Sequence, residues 1–343
     1  MILRFAPYQL QLKHPFRLAT GTRTSTSTVQ VEIELNGNIG YGEASMPPYH
    51  GETTESVTAF LSQLKPENWQ IENLTAILQE VDSLSETDNA AKAAIDIALH
   101  DLKAKTLGIP TREIFGIVAT QTPPTALTIG MGSEKELRRK VKEAEDFQLL
   151  KIKLGGPDDK DKIDFLRSIT DKPFLVDANQ GWTDVEVALR MIDHLSALNV
   201  LMVEQPMPVN TPAETLRTLK EKSALPIFAD ESVKRLSDLE NVSELFHGIN
   251  IKLMKSTGLA EANAMFDRCQ ELNLQTMIGC MTESSCAIMA AAQLSPRANF
   301  VDLDGTFLIS NNPFEEPRLM EGCIQLDSIA GNGAIPVAST FPF

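Results

Sequence analysis

The stretch Lys151-Ile152-Lys153-Leu154-Gly155-Gly156 decides how the rest of the chain is interpreted. In a β-strand alternate side chains point to the same face, so Lys151 and Lys153 project together, away from the face of the two apolar residues. Two neighbouring cations repel each other and resist desolvation, and they therefore require anionic groups opposite them. A strand that ends in two solvated lysines would give the same hexapeptide, so the decision rests on the residues downstream.

Beyond about residue 125, short apolar segments alternate with amphipathic helical patterns, which predicts βα units and a parallel sheet. The centres of the predicted strands follow one another about every 22 to 27 residues, a spacing typical of an α/β fold of the TIM type, the (β/α)8 barrel. A doubly wound open sheet is the alternative, but no glycine-rich nucleotide fingerprint follows any strand. The predicted strands are Ala126–Gly130, Leu149–Leu154, Phe174–Asp177, Leu201–Glu204, Ile227–Asp230, Ile249–Leu253, Gln275–Gly279 and Phe300–Asp304.

The N-terminal part predicts a separate α+β capping domain, residues 1–118, completed by the tail 321–343, with the barrel domain at 119–320. Its turn signal is Asn36-Gly37, which predicts a hairpin. We expect strands at Met1–Leu12, Val29–Leu35 and Ile39–Glu43, irregular loops at Thr20–Thr28 and Ala44–Gly51, and helices at Thr54–Leu64, Ile71–Leu84 and Thr87–Thr106. The first of these loops carries Arg23.

The composition excludes several classes of partner. The net charge of −15 repels nucleic acid and anionic membranes, so we expect neither as a partner. No apolar run reaches the roughly 18 residues that span a bilayer. The first residues, Met1–Arg4, lack the features of a signal peptide, and the four cysteines lack metal-site spacing, so we expect a cytoplasmic protein with reduced thiols. A monomer and a homo-oligomer are both compatible with the sequence.

Three successive predicted strands end in carboxylates: Asp177, Glu204 and Asp230. In a barrel the carboxyl ends of the strands meet at one mouth, where three carboxylates repel one another unless a cation binds them. Oxygen ligands alone select Mg²⁺, with Mn²⁺ as a substitute. A single aspartate at a strand end is usually a helix N-cap, but three in a row favour one metal ion per subunit.

Two further strands add charge to the same mouth. Lys252 lies within the apolar strand across the barrel from Lys153, so it either reaches an anion or has a lowered pKa. Lys255 is interpreted as an ordinary solvated residue. Asp302 and Asp304 alternate on the last strand, share a face and suit an ammonium group; solvated loop acids would give the same spacing.

These residues permit proton abstraction next to a carboxylate. A metal held by the three carboxylates would stabilise the charge of the resulting enolate. Lys151 and the metal would lower the pKa of Lys153 so that it acts as a base near neutral pH. Lys252 would return a proton to the other face of the same carbon. Two lysines that flank one carbon predict a racemase or epimerase.

The chain resembles the muconate-lactonizing-enzyme subgroup of the enolase superfamily over the whole barrel and the capping domain. The residues that carry the resemblance are Lys151-x-Lys153, Asp177-x-Asn179, Glu204, Asp230-Glu231 and Lys252. Lysine bases paired with Mg²⁺ are known for this superfamily. The resemblance implies Asp177, Glu204 and Asp230 as metal ligands, with Asn179 and Glu231 beside them.

Within the subgroup, Asp302-Leu303-Asp304 is similar to the Asp-x-Asp motif of dipeptide epimerases. The resemblance implies that this pair binds the ammonium group of a dipeptide whose C-terminal residue is epimerised, as for L-Ala-D/L-Glu from murein peptides. It also implies that Thr128 and Cys280-Met281-Thr282 line the dipeptide. Family members that act on L-Ala-Glu carry an arginine in the capping loop; a gapless count from Pro15-Phe16 places it at Gly21, and Arg23 follows two residues later.

Other functions fit parts of this pattern. An N-acylamino acid racemase or an o-succinylbenzoate synthase uses similar lysines, but its substrate has no ammonium group for Asp302 and Asp304. A Schiff-base aldolase would use Lys153 or Lys252 as a nucleophile, without need of three metal carboxylates. A Mg²⁺-dependent peptide-binding protein is the non-enzymatic alternative, although binding alone gives no reason for lysines on both faces.

Overall fold

The N-terminal sheet begins with a long antiparallel hairpin, β1 (Ile2–Leu18) and β2 (Gly21–Leu35), in the computed structural model, which describes residues 1–18, 21–47, 51–130 and 132–343. Pairing extends to Leu18 opposite Gly21, with Arg23 opposite Phe16. The loop expected at Thr20–Thr28 is therefore wrong from Gly21 onward, and Thr20 lies outside the described residues. The alternating threonines and serines of this stretch are compatible with a strand once a partner strand lies beside them.

The predicted hairpin turn at Asn36-Gly37 is confirmed. It joins β2 to β3 (Asn38–Met46), and both turn residues have positive φ, 51° and 84°, as a two-residue type I′ turn requires. The expected loop at Ala44–Gly51 is wrong for its first three residues, which continue β3. Residues 48–50 lie outside the described part of the chain.

One face of this sheet packs against helices. The α-helices of the capping region are α1 (Thr54–Leu61), α2 (Leu74–Ser83), α3 (Asn89–Leu107) and α4 (Thr111–Ile114), with short 3-10 helices at Pro66–Asn68 and Ile71–Asn73. Glycine allows β3 to approach α3 closely, since a Cβ atom at Gly42 would lie 2.0 Å from the carbonyl oxygen of Ala94. None of the described helices is both long and apolar enough to cross a membrane.

Eight parallel strands form the predicted barrel, and they follow the order of the chain. A bridge between Thr125 and Val301 brings the last strand beside the first. The predicted strands are confirmed to within one or two residues at each end. They are β4 (Ala126–Ile129), β5 (Leu149–Lys153), β6 (Phe174–Asp177), β7 (Val200–Glu204), β8 (Ile227–Ala229), β9 (Gly248–Lys252), β10 (Gln275–Gly279) and β11 (Phe300–Asp302).

Amphipathic helices cover the outside of the barrel. In the described chain an α-helix follows each of the first seven strands, whereas β11 leads into the 3-10 helix Gly305–Leu308 and then the tail. The tail contacts both regions, since the amide of Asn332 donates to Asp101 of α3 and that of Leu326 to the carbonyl of Thr120. The elements are α5 (Glu134–Glu143), α6 (Asp159–Ile169), α7 (Val185–Ser196), α8 (Ala213–Lys222), α9 (Leu239–Leu245), α10 (Leu259–Glu271), α11 (Ser285–Leu294), 3-10 helices at Leu236–Asp238 and Ser295–Arg297, and strands β12 (Leu319–Met320) and β13 (Cys323–Ile324).

The barrel interior has an apolar floor and a charged mouth. The floor is a buried cluster of side chains from alternate positions of the strands: Ala126, Leu149, Leu175, Met202, Phe228 and Met277. Two residues further along a strand the side chain points inward again, one layer nearer the carboxyl end. At five of these strands that next position holds Thr128, Lys151, Asp177, Glu204 and Asp230. Strand alternation thus places the polar residues together at the mouth.

The contact between β3 and α3 generates a prediction about stability. Gly42→Ala should lower the free energy of unfolding by about 3 kcal/mol or more, because the added methyl group meets helix backbone that cannot move aside. The measurement is equilibrium unfolding in urea. Gly132→Ala is the control: its Cβ would meet the Glu136 side chain at 3.1 Å, and the change should stay within about 1 kcal/mol. Equal effects would show that the close approach does not govern stability.

Candidate active site

Three carboxylates meet at the barrel mouth, on neighbouring strands. Asp177 ends β6, Glu204 ends β7 and Asp230 follows β8 directly. All three are buried, and one oxygen from each lies within 4.8 Å of the others. Burial and the charge of Asp177 raise the pKa of Glu204 to about 7. The charges are too close to coexist without cations.

Lys151 and Lys153 supply cations from β5. The ammonium group of Lys151 is wholly buried and lies 2.6 Å from Glu204, 2.7 Å from Asp302 and 3.3 Å from Asp177. Burial alone would lower the pKa of Lys151, but the attraction of these carboxylates raises it well above its ordinary value. Lys151 is therefore a permanent cation. Lys153 Nζ donates to Asp177 Oδ2 at 2.6 Å.

Lys252 and Lys255 approach the same cluster from β9 and the residues that follow it. Lys252 Nζ donates to Asp230 Oδ2 at 2.8 Å. Strand β9 lies four positions from β5 in the eight-stranded sheet, so Lys252 and Lys153 face each other across the carboxylates. The interpretation of Lys255 as solvated is wrong: it is 4% exposed and donates to Asp230 Oδ1, to the Asp230 carbonyl and to the Asn250 carbonyl.

Asp302 and Asp304 converge beside Lys151, although not as a strand pair. The strand β11 ends at Asp302, and Asp304 is the N-cap residue of the following 3-10 helix, so the expected strand through Asp304 is wrong at its end. Asp304 Oδ2 accepts from the amide of Thr128 at 2.6 Å. Burial and the charge of Asp302 raise the pKa of Asp304 to about 6. Asp302 Oδ1 is buried with no hydrogen-bond partner among the described residues, and it is available to a donor from a ligand.

The segment Cys280–Thr282 forms the next part of the rim. Its three side chains are each less than 10% exposed, and Cys280 Sγ lies 3.9 Å from Asp304 Oδ1. Thr282 Oγ1 accepts a hydrogen bond from Arg23 Nη2 at 3.1 Å. Arg23 therefore lies at the mouth, on β2 rather than on the predicted loop.

A second layer of polar groups supports the carboxylates. The backbone amide of Asn179 donates to Asp177 Oδ1 at 2.8 Å, and the side-chain Oδ1 of Asn179 is buried without a partner in the described chain. Burial and the charge of Asp230 raise the pKa of Glu231. Asn250, which the sequence reasoning missed, donates from Nδ2 to Glu204 Oε1 at 2.8 Å. Its position two residues before Lys252 on one strand would have indicated it.

The donor set fits a hard divalent cation. The three carboxylates offer oxygen atoms only, which is the ligand preference of Mg²⁺ and Mn²⁺ rather than Zn²⁺. The lysines contact only some of the cluster's oxygens, so lone pairs of the three carboxylates remain open to such an ion. Asp177, Glu204 and Asp230 are the described residues that could hold such an ion.

The fold and the site together are those of an enolase-type protein: a capped barrel with acids and lysines at its mouth. Two family models match the chain: "Mandelate racemase / muconate lactonizing enzyme, N-terminal domain" over residues 3–116 and "Enolase C-terminal domain-like" over residues 134–335. The chain belongs to the mandelate racemase / muconate lactonizing enzyme family of the enolase superfamily.

A curated sequence relative and two solved structures agree with this assignment. An L-Ala-D/L-Glu epimerase of Bacteroides thetaiotaomicron is 49% identical over 98% of this chain and 88% of its own length. The L-Ala-D/L-Glu epimerase of Bacillus subtilis, solved as a substrate complex, superposes with a TM-score of 0.92 at 26% identity, covering 98% and 99% of the two chains. A dipeptide epimerase of Enterococcus faecalis, complexed with Mg and L-Leu-L-Tyr, gives 0.90 at 30% identity over 97% and 98%.

The carboxylate cluster generates a prediction about metal binding. Glu204→Gln should weaken Mg²⁺ binding by about a hundredfold or more, because even outer partners of metal ligands are worth about ten- to a hundredfold. Isothermal titration calorimetry measures the affinity without any substrate. Asp304→Asn is the control, since this buried carboxylate lies outside the triad and should change the affinity by less than about threefold. Unchanged binding in Glu204→Gln would remove Glu204 from the ligand set.

Proposed function

We propose that this protein is a Mg²⁺-dependent dipeptide epimerase that inverts the C-terminal residue of L-Ala-D/L-Glu or a related dipeptide. The observation that carries the proposal is the position of Lys153 and Lys252 on opposite strands, with a carboxylate cluster between them. A carbon atom between the two ammonium groups has one lysine on each face. The relatives named above, whose names specify dipeptides, support the same substrate class.

The two ends of the dipeptide have separate binding groups in this proposal. Its carboxylate lies toward Asp177, Glu204 and Asp230, the residues that would hold a divalent ion. Its ammonium group lies between Asp302 and Asp304, at buried oxygens that include the unpartnered Asp302 Oδ1. Lys151, which contacts both groups of carboxylates, keeps the remaining negative charge of the mouth balanced.

The two lysines exchange a proton at one carbon. Neutral Lys153 removes the α-proton from one face of the C-terminal residue, and protonated Lys252 delivers a proton to the opposite face; the reverse direction exchanges their roles. When bound, the divalent ion supplies positive charge that stabilises the negative charge left on the substrate after loss of its α-proton. Proton transfer is reversible and leaves the composition of the dipeptide unchanged. Each stereoisomer therefore has its own base.

Arg23 favours an acidic side chain at the C-terminal residue. Its guanidinium group reaches Thr282 on the rim, where it meets the segment proposed to line the dipeptide. A glutamate side chain there would gain a charge-assisted hydrogen bond.

We further place the enzyme in the cytoplasm, in agreement with four buried cysteines in the free thiol form.

The two-base assignment predicts different behaviour of the two lysine variants in D₂O. The wild type should incorporate deuterium at the C-terminal α-carbon of both L-Ala-L-Glu and L-Ala-D-Glu. Lys153→Ala and Lys252→Ala should each lose epimerisation by about a thousandfold or more, a typical value for loss of a general base, and each should retain exchange from one isomer only. Mass spectrometry and chiral separation give both readouts. Epimerisation near the wild-type rate in either variant would contradict the proposal. Failure of the wild type to exchange the α-proton of any dipeptide for deuterium would contradict it as well.

The ammonium site predicts an effect on KM that depends on the substrate. Asp304→Asn should raise KM for L-Ala-L-Glu by about tenfold or more, because a buried charge pair loses one partner. Its KM for the N-acetylated dipeptide should change little, since that substrate has no ammonium charge. In the wild type, KM for the free dipeptide should fall as the pH rises through about 6, where the carboxyl group of Asp304 becomes ionised. Identical effects on both substrates would favour an N-acylamino acid racemase.

A further inference from the structure

The capping sheet has a buried polar face that no step of the reaction uses. On β3, Gly40, Gly42 and the residues in phase with them face α3, so Glu43 and Ser45 point to the opposite side. Both are 0% exposed, as are their neighbours on β2, Gln30 and Thr28. A buried face of this composition is unfavourable unless each polar group is paired.

The partners of Glu43 and Ser45 belong to the barrel, whereas the side chains of Thr28 and Gln30 bond within the capping sheet. Both oxygens of Glu43 accept from the amide of Ser284, at 3.0 and 3.1 Å, and Oε2 also accepts from the Ser284 hydroxyl at 2.5 Å and the Ala287 amide at 3.4 Å. These amides are at the N-terminus of α11, where a carboxylate is favoured. Ser45 Oγ donates to the Thr282 carbonyl at 2.7 Å. The capping sheet thus holds the chain on both sides of Glu283.

We propose that Glu43 and Ser45 are positioning residues for the dipeptide: from the capping sheet they fix the conformation of the segment Cys280–Glu283, which lines the substrate. This inference rests on the proposed function, and extends it to residues that touch neither the dipeptide nor the metal ligands. Other contacts of the segment between β10 and α11 include that of Cys280 Sγ with Asp304. The Met281 amide donates to Glu283 within the segment itself, and Arg23 binds the Thr282 side chain.

The consequence concerns substrate binding rather than proton transfer. A segment that is ordered before the dipeptide arrives loses little conformational entropy on binding. Without its anchors, the segment must become ordered at the expense of substrate affinity. Loss of the anchors should therefore raise KM, whereas kcat and Mg²⁺ affinity depend on groups from other strands.

The experiment compares Glu43→Leu, Glu43→Gln and Asp96→Leu. Asp96 is a matched control, because it is also a buried carboxylate of the capping domain that accepts from the amides at the start of a barrel helix, Leu259 and Ala260 of α10. Glu43→Leu should raise KM for L-Ala-L-Glu by about tenfold, the value of a buried donor left unpaired. Glu43→Gln, which keeps an acceptor, should restore KM to within about threefold of the wild type. Asp96→Leu should lower stability and leave KM unchanged.

Amide hydrogen exchange gives a readout that needs no turnover. The amides of Ser284 and Ala287 should exchange about tenfold faster in Glu43→Leu and at the wild-type rate in Asp96→Leu. If Glu43→Leu does not fold, Ser45→Ala makes the same test through the Thr282 carbonyl, with an expected rise in KM of about threefold.

The inference is overturned if Glu43→Leu, or Ser45→Ala in its place, keeps the wild-type KM, or if Asp96→Leu raises KM as much. Failure of the proposed function is a distinct result: the wild type would then exchange no α-proton from any dipeptide. In that event the exchange rates at Ser284 and Ala287 still decide whether Glu43 fixes the segment.

Discussion

The arrangement of charges at the barrel mouth depends on the ion pairs of the buried Lys151 ammonium group. This group contacts carboxylates from β6, β7 and β11, three strands that do not all neighbour its own. Without it, these acids would be buried at short distances with a large desolvation penalty and mutual repulsion. Because Lys151 contacts Asp177 and Glu204 of the triad as well as Asp302 of the Asp302–Asp304 pair, it fixes the distance between the two groups of carboxylates. We infer that this distance selects a substrate with a carboxylate at one end and an ammonium group at the other.

The apolar floor and the capping sheet make this charged layer tolerable. Large side chains such as Phe228 and Met277 fill the lower barrel, so the polar layer forms only at the carboxyl ends of the strands. From above, Glu43 accepts from the amides at the start of α11, and Ser45 donates to the Thr282 carbonyl, so the capping sheet covers the layer with both of these side chains paired. In the proposed function the barrel provides the reacting groups, while the capping domain shapes the rim around them.

Strand periodicity predicted most of the barrel, because alternate side chains of a strand point into the barrel and the others point out. Lys151, Asp177 and Glu204 could be placed together for that reason. Direction alone did not reveal Lys255, since it lies in the turn after β9, where strand alternation no longer determines which way a side chain points, and there it reaches Asp230 and Asn250. The hairpin around Arg23 was missed because its strand character comes from pairing with β1, which local composition does not encode. Asp304 was placed in a strand because the short 3-10 helix that follows it has no strong sequence signal.

We infer that the mouth holds one dipeptide between two lysines, with its charged ends at separate carboxylate groups. A crystal structure with Mg²⁺ and L-Ala-L-Glu tests it most directly. The account predicts that the C-terminal α-carbon lies between the ammonium groups of Lys153 and Lys252, one on each face, with the substrate ammonium group at Asp302 and Asp304. A dipeptide bound with both lysines on one face of that carbon, or with its ammonium group away from this pair, would contradict it.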